Sequence, residues 1–243
     1  MKAPLRTLRL AAVNIDGVLL NDTFSPVLHR LVVEWGGTYT AELERRMLSQ
    51  PQSAVARLLV ETTGVNATVQ EVIQAYFAVR ERYLREHPVR LLPGALALLE
   101  RLAALGLDLV CYGGLEADHF HRHLGAETAR FTGPGYICTN DCRPGIREIV
   151  EDSFSLRHDQ VLFIDDAASF AVRARELDVP FIGHPSHYEN SFQPELMREA
   201  GARHVAGSLD EIDEALVRRL DQEAGDGTVW RNAGRPAAQE VGR

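Results

Sequence analysis

The sequence predicts an α/β fold: a parallel sheet covered on both faces, with one all-helical block inserted near the N-terminus. Three observations carry this. Short apolar runs recur along the chain, helical patterns lie between them, and the stretch 22–89 shows helix signals without a convincing strand.

Taken in order, Leu8-Arg9-Leu10-Ala11-Ala12-Val13-Asn14 reads as a buried strand that Asp16-Gly17 stops. Within the helical block, Ser25-Pro26 supplies an N-cap and a proline at the first helical position, and Gly36-Gly37 ends that helix. Thr40 can cap the next helix. Gln52-Ser53 opens a third that stops at Gly64, and Thr68-Val69-Gln70-Glu71 is a capping box for a long fourth, ended by His87-Pro88. After Leu92-Pro93-Gly94, leucines 96, 99, 102 and 105 keep helical spacing up to Gly106. Apolar runs at 107–112, 161–164 and 179–182 predict further strands. A weaker run lies at 203–206, and 136–138 suits a short edge strand. Helices are expected after Pro144-Gly145, around Ile146, Ile149 and Val150, and from Phe170 to Leu177. The expected division is a core of residues 1–20 and 90–224, a helical domain at 21–89, and a disordered tail at 225–243, where apolar residues are sparse.

The composition suits one sizeable core, or one core with a small inserted module: 243 residues, 45% hydrophobic and 25% charged. A net charge of −8 argues against a phosphate-backbone partner, so nucleic acid is not expected. No apolar run approaches the roughly 18 residues of a membrane span. Cys111, Cys138 and Cys142 are odd in number and form no Cys-x-x-Cys. A disulfide framework is therefore not expected, and a reducing cytoplasm is. The expected partner is a small-molecule substrate, phosphorylated or not. Oligomeric state is not legible in the sequence.

In a doubly wound sheet, ligands bind outside the carboxyl ends of the strands. Three strand ends stand out. At the first, Asn14-Ile15-Asp16-Gly17-Val18-Leu19, alternation puts Asn14 and Asp16 on one side of the backbone. Asp16 there suits an acid–base or metal group, against the plainer reading of an Asp-Gly turn. At the second, Asp165-Asp166, adjacent carboxylates repel unless a cation or donor compensates, and Mg²⁺ is the natural compensator. The plainer reading makes Asp166 the N-cap of the following helix. At the third, Gly113-Gly114 leaves backbone N–H groups free to face an anion, although Gly-Gly is more often only a turn.

Together these motifs resemble the haloacid dehalogenase-like (HAD) superfamily over roughly residues 8–215. That family's first motif, Asp-x-Asp-Gly-(Thr/Val)-(Leu/Val), stands here as Asn14-Ile15-Asp16-Gly17-Val18-Leu19, and Asp165-Asp166 matches the Asp-Asp variant of its fourth. Leu92-Pro93-Gly94 and the preceding helical block resemble the re-entry and the C1 cap of the phosphoglucomutase-like and phosphatase-like branch. The resemblance implies a Rossmann-like core with Mg²⁺ at the strand tips beneath a closing cap. It makes position 14 the nucleophile and a metal ligand. Asp16 becomes the general acid–base, with its carbonyl on the metal, and Asp165 and Asp166 become metal ligands. The second-motif hydroxyl falls on Gly113 and is missing. The third-motif lysine falls on Arg143, whose charge survives while its geometry differs. Arg46 and Gln50, together with Gln52 near Pro51, are further candidates for substrate contact from the helical block.

Asn14 changes the chemistry the resemblance implies. A carboxamide is a far poorer nucleophile than a carboxylate, so the aspartyl-phosphate route is closed. Asn14 could be a substitution made to trap substrate in a phosphatase, or a native divergence. The departures at Gly113 and Arg143 favour divergence, since a trapping change alters one residue. The sequence then predicts an atypical hydrolase-type enzyme with Asp16 as general acid–base, or a ligand-binding relative without turnover. His119-Phe120-His121-Arg122-His123 has ligand spacing on a helix but no further ligand nearby, and reads as a wet helix. His184 and His187 follow a strand and carry only that positional hint.

Overall fold

The computed structural model describes residues 4–231. Five strands form one all-parallel sheet in the order β3-β2-β1-β4-β5: β1 (Leu10–Asn14), β2 (Asp108–Gly113), β3 (Tyr136–Cys138), β4 (Val161–Asp165) and β5 (Phe181–Gly183). Every residue of β1 and β4 is buried. This is why both read as near-continuous apolar runs, as strands covered on two faces do. Asn14 stands opposite Tyr112 in the register, at the carboxyl end of the central strand.

Between β1 and the next core helix lie α1 (Ser25–Glu34), α2 (Ala41–Met47), α3 (Gln52–Thr63) and α4 (Val69–Glu86). They enclose an apolar cluster of their own, with Leu31, Leu43, Met47, Leu59 and Val72 at its centre. The local signals act as read: Thr40 accepts from Leu43 N, Gly64 ends α3 at a φ of +68°, and Thr68 with Glu71 closes a capping box on α4. At α1 the N-cap position is Phe24, and the side-chain oxygen at this end comes from Asp22 and not Ser25. Asp22 Oδ1 accepts from the Phe24 and Ser25 amides, which draws Ser25 into the helix.

The core helices are α5 (Ala95–Ala104), α6 (Ala117–Leu124), α7 (Ala168–Glu176), α8 (Gln193–Ala200) and α9 (Glu214–Gly225). The segment after Pro144 winds as a π-helix at Glu148–Ser153. Two expectations are corrected. The run 203–206 is not a strand: only a bridge joins Val205 to Gly183, too little pairing for a weakly apolar segment. Residues 225–231 are ordered and do not belong to a loose tail. Val229 is buried, and Trp230 stacks on Phe181 while its indole N–H donates to the Val179 carbonyl at 2.9 Å. One aromatic side chain with a hydrogen-bonding handle holds a segment that composition alone marks as loose. Residues 232–243 lie outside the described residues. No helix among those described is long and apolar enough to cross a membrane.

Candidate active site

The helical insert meets the core over the strand tips and leaves a cleft there. Core residues Asn14, Asp16, Asp165, Asp166, Ala167 and Arg143 line it from one side. From the insert come Phe24, Ser25, Leu28, Met47, Ser49, Gln50, Gln52, Leu59, Val72, Ile73, Tyr76 and Phe77 among others. It spans about 870 Å³, a figure that includes the open solvent at its mouth.

Gly17, at a φ of +88°, turns the chain sharply after β1. A Cβ there would lie 2.0 Å from Asp166 Oδ2, so the glycine is what lets the β4 loop close over the β1 loop. Asn14, 5% exposed, turns its amide nitrogen into this junction. Nδ2 donates to the Asp16 carbonyl at 2.8 Å and to Asp166 Oδ1 at 2.9 Å. Burial and the neighbouring Asp165 push the Asp166 carboxyl well above the usual carboxylate range. Burial also raises Asp165, against the opposing pull of the Tyr112 hydroxyl and Arg143.

Asp165 is held as a structural group. Oδ2 accepts the Tyr112 hydroxyl at 2.6 Å and Oδ1 accepts the Ala167 amide at 2.8 Å. Asp165, not Asp166, therefore satisfies the first amide before α7, and the plain N-cap reading of Asp166 fails. Asp16 lines the cleft with a different partner. Its Oδ1 lies 2.9 Å from His119 Nε2, and both side chains are 9% exposed. His119 in turn packs edge-on against His123 at 4.9 Å between ring centroids.

These bonds decide whether Mg²⁺ fits. Mg²⁺ takes oxygen ligands in octahedral array, several of them from water, and binds through one or two carboxylates whose oxygens must be free to turn to it. Here both oxygens that would turn to it, the Asp16 carbonyl and Asp166 Oδ1, already accept the two N–H groups of Asn14. Asp165 is occupied by Tyr112 and Ala167, and one oxygen of the Asp16 carboxylate by His119. Among the described residues no group of three or more His, Cys, Asp or Glu side chains could hold a metal. The expected set of Asn14, Asp16, Asp165 and Asp166 does not assemble as a metal centre, because a neutral amide supplies the donors that a cation would replace.

The other candidates separate. Arg143 and Gln50 line the cleft. Arg46 does not: it lies exposed and reaches Glu61. Gly113 and Gly114 sit behind the cleft wall. The Gly113 carbonyl accepts from Thr139, and the Gly114 carbonyl from Gln52 Nε2 at 3.4 Å. A Cβ on Gly113 would come within 2.5 Å of Ile15 and 3.0 Å of the Tyr136 hydroxyl, and one on Gly114 within 2.7 Å of Arg143. Close packing against Ile15 requires the glycine at 113, whereas at 114 the near neighbour is the flexible end of Arg143. His184 is tied to the Ala206 carbonyl and takes no part in the cleft lining. Sequence reasoning set His119 aside as a member of a wet helix. Its four-residue spacing from His123 is the available signal: the two histidines share one partly buried side of α6, next to the buried Phe120 and Leu124.

Comparison with known proteins agrees with this architecture. A candidate beta-phosphoglucomutase from Bacteroides vulgatus superposes with a TM-score of 0.68 at 16% identity, covering 91% of each chain. A conserved haloacid dehalogenase-like protein of unknown function from Agrobacterium tumefaciens str. C58 gives 0.66 at 17% identity, over 88% of this chain and 99% of that one. A phosphonoacetaldehyde hydrolase-like protein from Oleispira antarctica gives 0.66 at 13% identity, over 93% and 98%. The chain therefore has the haloacid dehalogenase-like fold, an α/β fold with a Rossmann-like parallel sheet. No family model matches the sequence, and no curated protein matches it.

Proposed function

We propose that this chain is a hydrolase-type enzyme of the HAD superfamily that acts on a small molecule held beneath the helical insert, as a cap. Asp16 is its general acid–base, and no aspartyl-phosphate forms. One observation carries this reading: Asp16 lines the cleft while His119 holds one of its oxygens, and the neighbour at position 14 is an amide. In the reaction, Asp16 accepts a proton from a water molecule. The water oxygen forms its bond to the substrate's electrophilic centre as the leaving group departs, and the proton returns to that group. Arg143, at the cleft wall, offers N–H donors to the negative charge that develops. His119 is a positioning residue that acts through Asp16.

A screen of ester, amide and phosphate substrates tests the proposal. Asp16→Asn is expected to lower turnover of any substrate found by about a hundredfold or more, with an unchanged melting temperature. Equal turnover by the variant rejects Asp16 as the acid–base. Ligand binding without turnover is the second reading, favoured by the missing nucleophile at Asn14. Saturable binding with no turnover anywhere in the screen selects it. A phosphatase disabled by a single change at position 14 is disfavoured by Gly113, where Ile15 and Tyr136 leave no room for a hydroxyl-bearing side chain.

A further inference from the structure

Four polar atoms in the cleft wall are buried and have no hydrogen-bond partner among the described residues: Asn14 Oδ1, Ser25 Oγ, Ser49 Oγ and Tyr76 Oη. Buried polar groups are nearly always paired, so several orphans in one cavity point to partners that a ligand or ordered water brings. Asn14 Oδ1 can only accept, and the three hydroxyls can donate or accept. Burial pushes the Tyr76 phenol upward, which keeps it a neutral hydroxyl.

Between these atoms the wall is apolar. Leu28, Leu59, Val72, Ile73 and Phe77 face the cavity from three helices of the insert. The charge at its floor is one-sided. Asp16, Asp22, Asp165 and Asp166 line it, and Arg143 is the one lysine or arginine among the lining residues. Burial pushes the Asp165 and Asp166 carboxyls upward. With the amide of Asn14 where a cation would stand, Asp16 and Asp22 are therefore the carboxylates an incoming anion meets, against one arginine, and like charges at close range repel.

Resting on the reading of this cleft as the substrate site, we propose that its ligand is an amphiphile: an apolar aryl or alkyl body with a non-anionic head that donates hydrogen bonds, an amine or a hydroxyl. The body lies against the insert, and the head gives its hydrogens to Asn14 Oδ1 and the nearby carboxylates. A phosphate monoester is excluded by the charge at the floor.

The test is calorimetric titration of the full chain with three probes sharing one body: phenylpropylamine, phenylpropanol and phenylpropyl phosphate, each with and without Mg²⁺. The amine or the alcohol should bind at least about tenfold more tightly than the phosphate under both conditions, a difference that one charge at close range readily produces. Ethanolamine, which keeps a donor head and lacks the body, should bind at least about tenfold more weakly than phenylpropylamine. Tyr76→Phe should weaken the amine and alcohol severalfold without lowering the melting temperature. Phosphate binding equal to or tighter than the others overturns the proposal, as does binding of none of the three. The two readings fail separately. A phosphate ester hydrolysed in an Asp16-dependent way removes this ligand class and leaves the acid–base assignment standing. A tightly bound amine or alcohol with no turnover in the screen does the reverse.

Discussion

Position 14 shows how one atom resets a site. An aspartate there would place a second carboxylate against Asp166 Oδ1 and the Asp16 carbonyl, a cluster of acceptors that a cation or a shared proton must compensate. The amide satisfies the same two oxygens with its own N–H groups. Asn14→Asp should therefore destabilise the metal-free protein and create Mg²⁺ binding that restores its melting temperature. The unaltered chain should show neither binding heat nor thermal shift with Mg²⁺. Equal Mg²⁺ affinity in both proteins would show that the amide does not stand in for the ion. His119 is the other residue whose role follows from one contact. Loss of its bond to Asp16 in His119→Ala frees the carboxylate to rotate, and misplacement of a catalytic group by about 1 Å can cost a hundredfold in rate. The expected signature is a fall in kcat of about tenfold or more with KM little changed. A change confined to KM would make His119 part of the binding wall.

At the scale of elements, the strands and most helix ends were legible because their signals are local. Buried β1 and β4 show as apolar runs, and Thr68 with Glu71 announces α4. The contacts that fasten the insert to the core were not legible, since both partners are distant in sequence and each looks like a surface residue. Glu44 is the clearest case. It sits in a charged stretch of α2, yet it is 0% exposed. It accepts from Ser191 Oγ at 2.9 Å, the Phe192 amide at 2.9 Å and Gln193 Nε2 at 2.8 Å. Ser169 Oγ adds a bond to the Leu48 carbonyl at 2.7 Å, and Asp22 Oδ2 accepts from Ser186 Oγ at 2.6 Å. The site was half legible for the same reason. The strand-end motifs pointed to Asn14, Asp16 and Asp166, but only the fold shows that Asp165 is occupied by Tyr112 and that α6 delivers His119. Hydrogen bonds to a charged group are worth about 1.5–3 kcal/mol each where buried. Glu44→Ala leaves several donors unpaired and should cost about 3 kcal/mol in urea denaturation. Glu44→Gln keeps the side-chain oxygen as an acceptor and should cost less. A loss below about 0.5 kcal/mol for Glu44→Ala, the range of ordinary surface substitutions, would mean that Glu44 does not fasten the insert.

For the whole molecule, the two faces of the sheet and the insert bury separate apolar clusters. Buried polar groups outside these clusters also bear on stability, and His184 is one of them. It follows β5, is 3% exposed, and has Nδ1 3.1 Å from the Ala206 carbonyl. Burial holds its pKa below the ordinary value of 6.5. A histidine shifted in this direction is neutral in the folded chain while the unfolded chain takes up a proton. Its contribution to stability is complete above pH 6.5 and is lost as pH falls below that value, until the folded protein protonates as well. Denaturation followed between pH 8 and pH 5 should show unfolding free energy declining on the acid side, with up to one proton of the slope due to His184. His184→Asn can still donate to the Ala206 carbonyl from its amide and cannot titrate. The variant should be flatter over this interval, although other histidines keep their own share. An unchanged slope would place the acid sensitivity elsewhere, with His123 the next group to examine, since burial and the adjacent His119 lower it too.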